Sequence, residues 1–232
     1  LSLRGTIAFD YVDDDTDIEE DTPFSRDKLR VVEVAGRLSA RDRFRGINDV
    51  VVRLRQGLPI LGASRRGDPD TTNPDGTGLA ATLGATVLRV QPIAAGFSVF
   101  GRVGAQYGFD SVLANEEFDV GGLRFGRGFN PKEIAGDHGV GVTAELRYDR
   151  AFEDVAFLEA VQPFAFYDFG QVWQRGEGGD DYRASAGLSL RVFGPDWLSG
   201  DVAVARPLTE SDRSGGDKDV ETLFRVFARI PF

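Results

Sequence analysis

The segment Val220-Glu221-Thr222-Leu223-Phe224-Arg225-Val226-Phe227-Ala228-Arg229-Ile230-Pro231-Phe232 ends the chain with a period of two. Thr222, Phe224, Val226, Ala228, Ile230 and Phe232 fall on one face of an extended strand, and Glu221, Arg225 and Arg229 on the other. A slip of one residue would turn Arg225 to the apolar side, which in a bilayer costs roughly 2–4 kcal/mol near the midplane. With the arginines turned into a watery interior that cost disappears. A soluble sandwich has no use for so many charges opposite so continuous an apolar face. The pattern selects an all-β transmembrane antiparallel barrel.

The same period runs through the rest of the chain. Leu3, Gly5, Ile7, Phe9 and Tyr11 oppose Ser2, Arg4, Thr6, Ala8 and Asp10. Further strands are expected over Lys28–Arg41, Asn48–Pro59, Ala80–Pro92 and Phe97–Phe109, with a bulge in Ala80–Pro92, where alternation is least clean. Beyond a glycine-rich segment, Val140, Val142, Ala144, Leu146 and Tyr148 oppose Thr143, Glu145, Arg147 and Asp149. Strands over Val161–Trp173, Tyr182–Val192, Leu198–Leu208 and Val220–Phe232 complete a set of about ten. Arg53, Arg102, Glu145, Arg147, Arg183 and Arg191 all take the inner face. Long loops alternate with tight turns. The acidic run Asp13–Asp21 reads as a solvated loop that breaks regular structure, and Leu61–Gly78 and Thr209–Asp219 are further loops; turns fall near Asp42–Gly46, Ala94-Ala95-Gly96, Ala151–Val155 and Gly194-Pro195-Asp196. Short periplasmic turns and long outer loops are the signature of an outer-membrane barrel.

Composition narrows the function. A formal net charge of −10 over 232 residues argues against a nucleic-acid partner. No apolar run reaches the ~18 residues of a transmembrane helix, which leaves a barrel untouched as a possibility. Without cysteine there are no disulfides, thiol nucleophiles or cysteine metal sites. His138 is the one histidine and is expected to be an exposed loop residue; no metal and no cofactor are expected. Asp110, Glu116 and Asp137 read as loop solubility, and no Ser-His-Asp arrangement can be placed, which disfavours an outer-membrane enzyme. A diffusion porin leaves the glycine-rich loop unexplained. The chain contains no methionine and begins in a strand at Leu1-Ser2-Leu3-Arg4, so it is expected to be the C-terminal portion of a longer polypeptide.

That loop is Gly121-Gly122-Leu123-Arg124-Phe125-Gly126-Arg127-Gly128-Phe129, followed by Gly136-Asp137-His138-Gly139 and Glu145-Leu146-Arg147. Glycine on both sides of Arg127 lets the backbone bend tightly and bring the guanidinium close to another surface. Downstream, Phe166-Tyr167-Asp168-Phe169-Gly170 lies in a strand whose register points Phe166 and Asp168 inward. These two motifs, with a terminal strand carrying Phe224 and Phe232, resemble the outer-membrane translocases of two-partner secretion (the TpsB or hemolysin-activator-like transporters) of the POTRA-barrel superfamily. The first is similar to that family's [VI]RG[FY] loop motif, with Gly126 where Val or Ile is usual, and the second to its F-x-D-x-G motif.

The resemblance covers essentially the whole chain, residues 1–232, as the C-terminal part of a barrel. It implies that the loop joins strands 11 and 12 of a 16-stranded barrel, that strands 7 to 16 are present, and that POTRA domains precede them. It implies a lumen pair between Arg127 and Asp168, with Gly122, Gly128, Phe129, Gly136 and Asp137 in the loop motif and Gly170 in the partner motif. Glu145 and Arg147 are expected as lumen network residues, a solvated wall. The terminal strand would be read by the barrel-assembly machinery. The implied protein is a nucleotide-independent translocation pore in a Gram-negative outer membrane, with membrane lipid and a secreted exoprotein as partners. The alternative is a barrel assembly factor of the same superfamily.

Overall fold

The computed structural model describes residues 1–16, 25–153, 157–176, 179–195, 198–210 and 219–228. In chain order the strands are β1 (Ser2–Thr16), β2 (Ser25–Arg41), β3 (Ile47–Gly57), β4 (Ala81–Pro92), β5 (Phe97–Gly108), β6 (Phe118–Val120) and β7 (Ile134–Gly136). They continue with β8 (His138–Tyr148), β9 (Arg150–Ala151), β10 (Ala160–Trp173), β11 (Asp180–Phe193), β12 (Leu198–Pro207) and β13 (Glu221–Ala228). The main sheet runs β1-β2-β3-β4-β5-β8-β10-β11-β12-β13, each strand antiparallel to the next, with β9 as a short extra partner of β10. The small hairpin β6-β7 stands apart from it, inside the loop between β5 and β8.

Burial is inverted relative to a soluble protein. Leu3, Ile7, Leu188 and Phe224 are each more than two-thirds exposed on the outer face. The inner face holds the buried positions. In β10, Gln162, Phe164, Phe166, Asp168, Gly170 and Val172 are buried while Pro163, Ala165 and Tyr167 are exposed, the alternation the sequence predicts. Phe164 and Phe166 pack with Ala203 and Ala205 of β12, and Leu223 of β13 closes that cluster.

Three expectations are corrected. The acidic run does not break the first strand: β1 continues to Thr16, and two of its carboxylates lie opposite basic residues, Asp13 against Lys28 and Asp15 against Arg26, while Asp14 lies opposite Asp27. Arg26 Nε donates to Asp15 at 2.6 Å. β1 and β2 have 15 and 17 residues, more than the ~9–11 a tilted strand needs to cross a bilayer, so this hairpin end stands clear of the apolar band. The part of the run over residues 17–21 lies outside the described residues. Second, β4 has no bulge; it pairs in unbroken register with β3 and β5. Its alternation lapses because its end leaves the apolar zone. Arg89 donates to Asp42 at 2.7 Å and to Asn48 at 2.6 Å in a polar cluster at the short-turn rim. Third, His138 is the half-buried first residue of β8, not an exposed loop residue. Its Nδ1 accepts from the Gly108 N–H at 3.2 Å, and its ring lies 4.6 Å from that of Tyr107. The terminal residues Arg229, Ile230 and Phe232 lie outside the described residues; Phe224 is on the outer face of β13.

Candidate functional site

The loop between β5 and β8 folds back onto the inner face of the sheet, where a row of glycines receives it. Gly104 of β5 pairs with Gly141 of β8, and Gly141 pairs with Gly170 of β10, so three adjacent strands lack side chains at one height. A Cβ on Gly141 would lie 2.3 Å from the Phe125 ring, and one on Gly170 would lie 2.4 Å from the Val120 side chain. Phe125 and Val120 fill this hollow, 2% and 0% exposed. Val120 packs with Ile134 and Val172, with Phe118 against them. The hollow escapes sequence reading because its members lie on three strands. The signal was present in the inner-face parity of all three glycines.

From that seat the chain turns sharply into Arg127. Gly126 has φ +128°, in the left-handed region that favours glycine, so the usual Val or Ile of the resembling motif would be strained in this backbone. Gly128 is required for a different reason: a Cβ there would meet Ser185 Cβ at 2.8 Å and Pro207 N at 3.0 Å. Its N–H donates to Ser185 Oγ at 3.2 Å.

Arg127 and Asp168 form a bidentate pair. Nε donates to Oδ2 and Nη2 to Oδ1, each at 2.8 Å, and the Arg127 backbone N–H reaches Oδ2 at 3.1 Å. Thr143 Oγ1 lies 2.9 Å from Asp168 Oδ1 and also 2.9 Å from Arg124 O, so its single proton serves one of them at a time. The remaining Arg127 nitrogen, Nη1, donates to Glu145 Oε1 at 2.8 Å, and Arg147 Nη2 meets the other oxygen of Glu145 at 2.6 Å. Asp168 is fully buried and Arg127 is 7% exposed. The guanidinium also lies 3.7 Å from the Phe166 ring centroid, and that of Arg147 lies 4.0 Å from Phe100.

Arg147, Glu145, Arg127 and Asp168 therefore form a linear chain of alternating charge whose sum is zero. Glu145 is a buried bridge within it rather than part of a solvated wall, and it is the third partner that the pairwise reading of Arg127 with Asp168 leaves out. Each ion meets an opposite ion with hydrogen bonds, the condition under which charge withdrawn from water is tolerated. The arrangement holds a loop in place.

The other motif residues separate into two places. Phe129, 4% exposed, stays beside Arg127, and Gly122 N–H donates to its carbonyl at 3.0 Å. Gly136 and Asp137 belong instead to a cap at the long-loop end. Asp137 is 1% exposed and accepts from Val112 N at 2.7 Å and Arg175 N at 2.8 Å, tying the start of β8 to two neighbouring loops. Asn73 Nδ2 donates to Val112 O at 3.0 Å, and the buried Asp27 accepts from Thr72 N at 3.1 Å, which brings in the loop between β3 and β4. Asp137 is thus a structural clip and not a solubilising loop carboxylate. Glu116 likewise makes a two-pronged contact with Arg55 at 2.8 Å, and Asp110 pairs with Arg66. The cap carries an open polar pocket of about 400 Å³ lined by Thr72, Glu117, Asp137, Gln174 and Arg175, among others. Burial pushes the Glu117 carboxyl above its ordinary value, against an opposing hydrogen bond from Gln174.

Comparison with known proteins agrees with this architecture. The family model of haemolysin secretion/activation proteins ShlB/FhaC/HecB matches residues 18–193. Among solved structures the chain is similar to CdiB from Escherichia coli, at 21% identity and TM-score 0.68 over 88% of this chain and 37% of that one. It is also similar to BamA from Haemophilus ducreyi lacking POTRA domains 1-3, at 17% identity and TM-score 0.61 over 88% of this chain and 43% of that one. The chain thus spans about two-fifths of each of these structures, and at these identities the likeness concerns the fold. No curated protein sequence matches.

Proposed function

The chain belongs to the haemolysin secretion/activation (ShlB/FhaC/HecB) family of outer-membrane β-barrel proteins, and from that premise we propose that it is the C-terminal barrel portion, residues 1–232, of a translocation pore. The pore passes a partner exoprotein outward across the outer membrane of a Gram-negative bacterium. The reaction is transport and not catalysis, and folding of the exoprotein outside supplies the drive in place of nucleotide hydrolysis. POTRA domains upstream recognise the exoprotein. The barrel itself contacts membrane lipid and is placed there by the barrel-assembly machinery, with the strand ending in Phe232 as its signal.

The observation that carries this reading is the loop pinned by Arg127 to the inner wall at Asp168. A segment held inside a barrel by one charge chain can be held or released as a unit, which suits a conduit that must admit an unfolded chain. The test is to express the full-length protein with the exoprotein encoded beside it and follow that exoprotein to the cell surface by accessibility to added protease. Surface exoprotein that disappears with Asp168→Ala, while the barrel remains in the membrane, supports the pore. Unchanged export in that variant refutes a working role for the pinned loop.

A second reading, a factor that inserts other barrels, draws on the fold likeness to BamA. Depletion that lowers the folded level of unrelated outer-membrane barrels, with exoprotein export unaffected, selects it.

A further inference from the structure

Several arginines of the inner wall are matched by acids: Arg127 and Arg147 share Glu145 and Asp168, Arg225 meets Asp201 at 2.8 Å, and Arg55 of β3 meets Glu33 and Glu116. A second group on β3, β5 and the docked loop is not. Arg53 of β3, Arg102 of β5 and Arg124 of the docked loop line one cavity of about 350 Å³, together with Gly84, Thr86, Gly104, Gln106, Phe118 and Phe125. None of the residues lining it is an aspartate or glutamate, in a chain with 37 acidic and 27 basic residues. Among the described residues these three guanidiniums make no ion pair within 4.0 Å; Arg102 lies 5.5 Å from the Phe100 ring and is attracted by the Glu145 carboxylate only from beyond contact distance.

The geometry that produces the cavity is specific. Arg53 and Arg102 sit in the middle of their strands, far from either rim. Between them the inner-face positions of β4 are Gly84 and Thr86, which pair with Gln106 and Gly104 and leave the space empty. Arg124 reaches it from above, its carbonyl held at 2.9 Å from Thr143 Oγ1 by the same network that anchors Arg127. Three cations from three elements thus converge on a hollow with small neutral walls and two phenylalanine edges. Like charges gathered with no acid in contact raise the local potential and concentrate anions. In pores, rings of arginine or lysine select for anions in the same way.

We propose that Arg53, Arg102 and Arg124 form a carboxylate-binding station on the lumen wall, whose ligand is an acidic segment of polypeptide in extended form. The inference rests on the pore reading for the identity of its occupant. Guanidinium forks match carboxylates, and the rings of Phe118 and Phe125 provide apolar contact for the stems of glutamate side chains. Because the hollow faces the interior at mid-strand, a lipid headgroup on the outer face does not reach it.

The test is a binding measurement on the full-length protein in detergent, using short dye-labelled peptides of polyglutamate and polyglutamine and following fluorescence anisotropy. The expected result is binding of polyglutamate that weakens steeply with added salt, and no binding of polyglutamine. The triple variant Arg53→Gln, Arg102→Gln, Arg124→Gln should weaken polyglutamate binding about tenfold or more, on the scale of three exposed ion pairs. The triple lysine variant keeps the charge and should restore most of it, which separates loss of cations from loss of fold. Equal affinity of the wild-type protein for the two peptides, or unchanged affinity in the triple glutamine variant, overturns the proposal. Inorganic phosphate competing as effectively as polyglutamate, at equal charge, also overturns it by making the site one for small anions. The pore reading is judged separately by exoprotein export: export that survives in the triple glutamine variant with its affinity lost leaves the pore standing and removes the station's need. Failure of wild-type export removes the pore but not the peptide result.

Discussion

Removal of the Asp168 charge is the most informative single perturbation of the loop anchor. Asp168 receives Arg127 through Nε, Nη2 and the backbone N–H and lies beside Thr143 Oγ1, with no exposure to solvent. Two unit charges 4 Å apart at an effective dielectric of about 20 attract by about 4 kcal/mol, and withdrawing each from water costs a comparable amount. The net worth of the pair is therefore small, but the loss of one member is not. Asp168→Asn should cost about 3 kcal/mol, the lower end for breaking a buried pair, because Glu145 still faces the stranded guanidinium. Arg127→Met should cost a similar amount by stranding Asp168. A charge swap is a poor test, since an aspartate at 127 would lie against Glu145. The double variant Arg127→Met, Asp168→Asn removes both charges and should be less destabilised than the sum of the singles by about 2 kcal/mol. The assay is urea unfolding of the full-length protein refolded into lipid vesicles, followed by tryptophan fluorescence. Additive single effects, with coupling below about 0.5 kcal/mol, would refute a direct pair.

Other consequences follow from the same geometry. Gly141→Ala puts a methyl into the Phe125 ring and should destabilise loop docking by about 1–3 kcal/mol, seen as new protease cleavage between β5 and β8. Asp137→Ala leaves the Val112 and Arg175 N–H groups without their acceptor and should cost about 1–3 kcal/mol, with faster hydrogen exchange confined to the cap. The hydrogen bond from Arg89 holds the Asp42 carboxyl well down, at about 2, aided by Asn48 and the Gly46 N–H against the cost of burial. Its contribution to the short-turn rim is present above the ordinary carboxylate value of 3.8 and is lost as pH falls through about 2, which an NMR titration of Asp42 should show and Arg89→Gln should shift upward. Glu117 has the opposite sign: its raised carboxyl makes the cap most stable at low pH and less so as pH rises past that group's ordinary value, so Glu117→Gln should stabilise the cap at neutral pH, read by slower amide exchange.

Much of this was legible in the alternation of single strands. In β10 the parity of Asp168 and Phe166 alone turns both inward, and the parity of Glu145 and Arg147 in β8 does the same, because a strand with one apolar face has no choice of side. What escaped were features shared between strands. The acidic stretch Asp13–Asp15 reads as a breaker until Arg26 and Lys28 are seen opposite it. The lapse of alternation at Arg89 reads as a bulge until the depth of that residue is known, since leaving the apolar zone and shifting register look alike along one strand. Asp137 and Glu116 look like solvated loop charges because their partners, the Val112 amide and Arg55, lie elsewhere in sequence. The cross-strand glycines show along each strand only as one inner-face residue apiece, and become a hollow only when Gly104, Gly141 and Gly170 are placed side by side.

The glycine row also sets an order of assembly. Gly104 precedes the loop in the chain, while Gly141 and Gly170 follow it. Its hollow therefore does not exist until β5, β8 and β10 have paired, and the loop has no seat while the strand that precedes it is the only one formed. Arg127 and Asp168 are separated by 41 residues, so their meeting closes a long segment whose entropy is lost only after the wall is built. Docking of the loop is thus a late event in biogenesis, a report that three strands have found their register, and a barrel paired one step out of register would offer no place for Phe125 to rest.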